Sequence, residues 1–216
     1  MSEIITTYQL TDLDQQIPMD RDEFYDDQIE VYKKTGKPTR AAAIADIFLF
    51  TPESDVILQK RSYRKKHNPG LLDKTMGGHI KFGDTPNYTV MVETLEELNV
   101  PSIVTFDFDE FQKTYKLLKS KIGTTAILQF IDSHSVNLEK IFGTEKVLIG
   151  NKYFFYLGIY NGSLKPADRE AAGLIFIPYD QLQEEIQKTP ELYSADVKFF
   201  LSKYSSEIEK FLKNLN

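Results

Sequence analysis

Glu93, Glu96 and Glu97 lie three and four positions apart in the stretch "TVMVETLEELNV". On a helix of about 3.6 residues per turn, Glu93 and Glu97 stack one above the other and Glu96 sits beside them. Like charges at that spacing repel. The group is therefore either a solvated helix face or a holder of a hard divalent cation, which takes oxygen ligands and keeps waters free for phosphate oxygens. Two neighbouring features favour the cation. Gly77 and Gly78, just upstream, permit close approach of the backbone. The basic stretch "QKRSYRKK" supplies Arg61, Lys65 and Lys66 as candidate phosphate contacts, with plain surface charge as the competing account. His79 follows the glycines and suits either a supporting place beside a ligand or a structural hydrogen bond.

These residues need a helix, a glycine turn and a sheet to hold them. Thr85 is a fitting N-cap and Pro86 a fitting first helical residue, where a missing N–H costs nothing. The run continues to Leu98, and Asn99 tolerates the left-handed backbone that ends a helix. Val90, Met91, Thr94, Leu95 and Leu98 are left to pack on a sheet. Strands are expected at residues 41–51, "AAAIADIFLFT", and 55–62, "DVILQKRS", with others at 124–131, 152–160 and 173–178. The stretch "SVNLEKIFG" between two of them has no clear pattern. Helices are expected at residues 20–34, stopped by Gly36 and Pro38, and at 179–188, while 106–121 reads as a helix or a long connection. Residues 195–215 form one further helical run with Val197, Phe200, Leu201, Tyr204, Ile208 and Leu212 along one face. That face either packs on the chain's own core or joins two copies as a homodimer. The aromatics from Tyr153 to Tyr156, and Phe176, are candidates to line a pocket, although aromatics on strands are commonly core.

Together, the glycines and glutamates resemble a Nudix box: glycine, five residues, Glu, seven residues, then Arg-Glu-hydrophobic-any-Glu-Glu-any-Gly-hydrophobic. Gly78 takes the first glycine, Asp84 the first acidic position, Glu93, Glu96 and Glu97 the later glutamates, and Val100 the closing hydrophobic. The flank "VILQKRSYRKKHNPGLLDKTMGGHI" resembles the branch near YfcD-like hydrolases and isopentenyl-diphosphate isomerases, and "GLIFIPYDQL" resembles the segment that follows the last sheet strand. The resemblance implies an α/β fold, a Nudix-type α/β/α sandwich with a mixed central sheet. On that reading residues 1–39 are an N-terminal extension, 40–190 the Nudix-like domain, and 191–216 a C-terminal amphipathic helix. It implies Mg²⁺ or Mn²⁺ held by Glu93, Glu96, Glu97 and a backbone carbonyl at Gly77, with Glu96 or Glu97 activating water and Glu170 as a distal base. The expected activity is hydrolysis of a nucleoside diphosphate derivative or other organic diphosphate, with a catalytically weak binding domain as the alternative. The alternative is motivated by Val92, which stands where the motif has arginine; Lys65, Lys66 or Lys74 are candidates to replace that charge. Thr94 replaces a hydrophobic residue and Asn99 a glycine.

Composition narrows the classes further. The 216 residues include 26 basic and 32 acidic side chains, for a net charge of −6, which weighs against a nonspecific nucleic-acid surface. Cysteine and tryptophan are absent. Disulfides, thiolate metal sites and cysteine nucleophiles are therefore excluded. The same absences leave isoprenyl-diphosphate isomerisation, which in the related enzymes relies on a cysteine and usually a tryptophan, as the less favoured alternative. Gly77-Gly78-His79 lacks the three-glycine spacing of a dinucleotide-binding turn. No run approaches membrane length and the first residues have no signal-peptide pattern, so the expected setting is cytoplasmic, with a small diphosphate as partner and neither membrane nor stable nucleic-acid contact.

Overall fold

The computed structural model describes residues 3–164 and 171–215. Its central strand is β3 (Arg40–Phe50), whose alternation feeds two cores. Ala42, Ile44, Phe48 and Phe50 point to one face, and Ala43, Ala45, Ile47 and Leu49 to the other. A strand buried on both faces reads as a continuous apolar run, as "AAAIADIFLF" does apart from Asp46.

One edge of β3 runs parallel to β9 (Glu145–Ile159). Three strands share the other edge in succession: β1 (Ile4–Gln9), then β6 (Met76–His79), then β4 (Asp55–Arg61). At the junction of the last two, Leu49 N–H donates to the Thr75 hydroxyl at 2.8 Å, and that hydroxyl bonds to the Ile57 carbonyl. The sheet continues through β8 (Ala126–Phe142) to β7 (Ser102–Thr105) on one side and from β4 to β10 (Ala171–Pro178) on the other. Short β5 (Leu72–Asp73) pairs with β4, and β2 (Asp12–Asp20) pairs with β1.

Helix α2 (Pro86–Leu98) covers one face through Val90 and Leu98. The other face carries α1 (Arg21–Thr35), α3 (Phe108–Leu118), α4 (Tyr179–Lys188), α5 (Ala195–Lys203) and α6 (Ser205–Lys213). The result is the α/β/α sandwich with a mixed sheet that the sequence implies.

Several elements depart from the sequence reading. The tail is two helices, not one, because the chain turns at Tyr204. Its apolar residues, among them Phe200, Ile208 and Phe211, lie in the chain's own core, which is the first of the two alternatives that the sequence left for that face. The unpatterned stretch 135–143 completes a long hairpin of β8 with β9. Strands β1 and β2 fall within the first twenty residues, a polar, mixed stretch without strand alternation.

Candidate active site

Helix α2 begins and ends as its sequence dictates. The Thr85 hydroxyl accepts from the Tyr88 N–H at 3.2 Å, and Asn99 takes the left-handed conformation at φ 57°. Thr94 is buried, and its hydroxyl meets Ser102 Oγ on β7 at 2.8 Å, which explains a polar residue where the box prefers a hydrophobic one. Met91 and Leu95, expected to pack on the sheet, are instead exposed. Glu97 is buried, Glu93 half-buried and Glu96 exposed.

Two glycines on β6 let charged groups crowd both faces of one strand. A Cβ on Gly78 would stand 2.0 Å from Glu93 Oε1, on the α2 side. A Cβ on Gly77 would stand 2.1 Å from Asp46 Oδ1 and 2.6 Å from Lys74 Cε, on the opposite side. Among the described residues β6 pairs with β3 alone, and no strand lies on its other edge. A cleft of about 310 Å³ wraps this edge, lined by Glu93, Glu96 and Glu97 from α2 and by Gly77, Gly78 and His79 from β6. Arg61, Lys65, His67, Lys74 and Lys140 also line it, as do Glu3, Arg21 and Lys81. Glu3 pairs with Arg21 at 3.1 Å and with Lys81 at 3.6 Å.

A buried ionic cluster underlies the Gly77 side. Lys74 Nζ is 3.1 Å from Asp46, 3.6 Å from Asp196 on α5 and 3.9 Å from Asp73. Burial pulls the Lys74 ammonium down, but the carboxylates of Asp196, Asp46 and Asp73 outweigh it and hold its pKa above the ordinary value. Burial pushes Asp46 up to about 7, against the pull of Lys74 and with the help of Asp196 and Asp73. Asp196 resists burial and stays below its ordinary value, because Lys74, Lys140, the Tyr153 hydroxyl and Arg61 favour its charge. His79 is hydrogen-bonded to the Tyr25 hydroxyl at 2.9 Å, and burial, then Lys140 and Arg21, hold its pKa well below the ordinary value. It is a neutral imidazole at physiological pH.

The structure thus brings Glu93, Glu96, Glu97, Gly77, Arg61, Lys65 and His79 into one cleft. Not every candidate is there. Lys66 points away and pairs on the surface with Asp22 at 2.8 Å, because α1 offers it a carboxylate outside the cleft. Arg61 is already engaged: it donates to Asp73 at 3.0 Å and to the His67 carbonyl at 3.1 Å. Tyr153 and Phe155 belong to the core rather than to the cleft, Tyr156 is buried with its hydroxyl on Asn87, and Phe176 is 47% exposed on β10. Asp84 sits in the turn before α2, its N–H on the Lys81 carbonyl at 3.0 Å, and does not line the cleft. Glu170 lies outside the described residues. Lys140 was not foreseen, yet "VNLEKIF" carries its signal: in strand alternation Val136, Leu138 and Phe142 share a row in which lysine is the odd member.

A model of the NUDIX domain family matches residues 40–197. The chain belongs to the Nudix family. Solved structures with the same fold include DR0079 from Deinococcus radiodurans, 16% identical with a TM-score of 0.54, covering 75% of this chain and 82% of that one. The MutT protein from Methanosarcina mazei Go1 is 13% identical with a TM-score of 0.51, covering 77% of this chain and 94% of that one. Among curated proteins none matches significantly. Nudix membership supports diphosphate hydrolysis as the general activity.

Nudix hydrolases generally use a divalent metal. Among the described residues, no three His, Cys, Asp or Glu side chains already converge as a metal group. The donor chemistry nonetheless suits Mg²⁺ or Mn²⁺: carboxylates and backbone carbonyls are hard oxygen ligands. Glu93 lies against the bare backbone of Gly78, with Glu96 and Glu97 in the same cleft, so the residues that would hold such an ion share one wall. No helix among the described residues is long and apolar enough to cross a membrane.

Proposed function

We propose that the chain is a divalent-metal-dependent hydrolase of a nucleoside diphosphate derivative or another organic diphosphate. The observation that carries this reading is the Glu93 carboxylate pressed on Gly78, in a cleft that also holds Glu96, Glu97 and several cations. Glu93 and Glu97, with the Gly77 carbonyl, are the residues to hold the metal, and Glu96, exposed on the same helix, is ligand or base. A divalent ion held by these residues would supply charge neutralisation at the phosphates and a lowered pKa for the attacking water. Lys65 is positioned to meet phosphate oxygens. Arg61 helps fix the wall through Asp73 and the His67 carbonyl. A neutral His79 accepts or donates a hydrogen bond without adding charge.

The test is phosphate release from a panel of nucleotide and other organic diphosphates, with Mg²⁺ or Mn²⁺, beside Glu97→Gln. Turnover that requires metal and falls at least about 10²-fold in the variant supports the proposal. A protein that binds metal and diphosphates but turns none over is a binding domain. That outcome would trace the loss to Val92, which stands where the box has arginine.

A further inference from the structure

On the face of β6 away from the glutamates, Lys140 is a buried cation in an otherwise apolar row. It is 4% exposed, with Val136, Leu138 and Phe142 as its neighbours along β8. Its ammonium donates one long hydrogen bond, 3.4 Å to the Tyr25 hydroxyl, and stands 5.6 Å over that ring. Among the described residues it makes no ion pair. The nearby carboxylates are engaged elsewhere: Asp73 by Arg61 and Ser194, Asp46 by Lys74, and Asp196 by Tyr153 and Lys74. An ammonium has three donors, and burying it with so little in return is unfavourable.

The fold nevertheless fixes this residue firmly. Beside it, Asn68 N–H donates to the Ile141 carbonyl and Ile141 N–H donates to Asn68 Oδ1, both at 2.9 Å. These two bonds tie the hairpin of β8 and β9 to the loop after β4, and Lys140 lines the cleft between them. Asp196, whose charge this lysine favours, is in direct contact with Lys74 and the Tyr153 hydroxyl instead, which leaves a buried cation at the cleft wall with donors open to an external anion.

We infer that Lys140 is an anion-binding residue that takes a phosphate group on the side of β6 opposite the glutamates. The substrate class then narrows to diphosphates whose negative charge spans both faces of the glycine strand. Only the word substrate rests on the hydrolase reading; the anion site does not.

The experiment is calorimetric titration of inorganic phosphate into the metal-free full chain, for the wild type, Lys140→Met, Lys140→Arg and Glu97→Gln, with thermal melting of each. Lys140→Met is expected to weaken phosphate binding at least about tenfold while melting at or above the wild type, since it removes a buried charge and keeps the volume. Lys140→Arg is expected to keep affinity within about threefold, and Glu97→Gln, which removes a carboxylate from the same cleft, to bind phosphate at least as tightly as the wild type. The inference is overturned if the wild type binds no phosphate, if Lys140→Met binds it unchanged, or if Lys140→Met and Lys140→Arg lose binding equally with lowered melting. Turnover is not read at any stage. A chain that binds phosphate this way but hydrolyses nothing would refute the hydrolase reading and leave this one standing.

Discussion

Replacing Gly78 by alanine separates the placement of Glu93 from the stability of the fold. The new Cβ would stand 2.0 Å from Glu93 Oε1, 2.3 Å from Cδ and 2.8 Å from Cγ. Carbon and oxygen come to rest at about 3.4 Å, so the carboxyl must withdraw by more than about 1 Å. Misplacing a reacting or ligating group by about 1 Å costs on the order of 10²-fold in rate, or about 2.7 kcal/mol of transition-state stabilisation. The fold has little reason to suffer. Gly78 is not among the glycines with positive φ, so alanine adopts its backbone, and the atoms its Cβ would meet belong to a flexible, half-buried side chain rather than to backbone. A compatible Gly→Ala change is worth about 0.4–1 kcal/mol in favour of the folded state. The assay is kcat/KM on a turned-over diphosphate with Mg²⁺ or Mn²⁺, beside thermal melting. Expected is a loss near two orders of magnitude with melting unchanged or slightly raised. A Gly78→Ala enzyme that retains half the wild-type rate would refute the claim that Glu93 must rest on bare backbone.

Gly77→Ala should behave in the opposite way, because its Cβ would strike buried, paired groups at 2.1 and 2.6 Å and the Ala45 carbonyl at 3.2 Å. A destabilisation of about 2–4 kcal/mol is expected in chemical denaturation, and wild-type stability would contradict it. Arg61→Met removes one partner of a buried pair and should cost about 3–5 kcal/mol, whereas Lys66→Met, on the surface, should leave stability within about 0.5 kcal/mol and KM unchanged. Asp46 predicts a pH dependence. Its folded pKa of about 7 lies above the ordinary 3.8, so its contribution to stability is present below pH 3.8 and lost as pH rises through 7. Asp46→Asn should therefore gain stability relative to the wild type as pH rises from 4 to 7, by up to about 1.4 kcal/mol per unit. Denaturation midpoints at pH 5 and pH 7 decide it, and a constant difference would show that Asp46 does not titrate there.

The glutamate helix was legible because its boundaries are local chemistry: a threonine cap, a proline at the first turn and an asparagine at the left-handed end. The central strand was legible because burial on both faces leaves an almost unbroken apolar run. Strand β2 was not, since five of its nine residues are polar or charged and its pairing with β1 depends on backbone bonds. The break at Tyr204 was missed because the same apolar spacing continues on both sides of it. Within the site, residue type announced charge but not direction. Lys65 and Lys66 are adjacent in sequence, yet one lines the cleft and the other pairs with Asp22. Lys74 gained its place from a contact far along the chain, with Asp196, which no local pattern encodes.

The link between Lys74 and Asp196 also imposes an order on the making of this protein. Ser194, two residues from that aspartate, bonds to Asp73 across 121 positions of sequence. At a synthesis rate of about 5–20 residues per second, Lys74 is made roughly 6–25 s before Asp196. The glycine strand and glutamate helix emerge in that interval without the carboxylate and helices that later close beneath them. A nascent chain can thus display its glutamates before its floor exists, and the cleft acquires its final charge only when α5 docks.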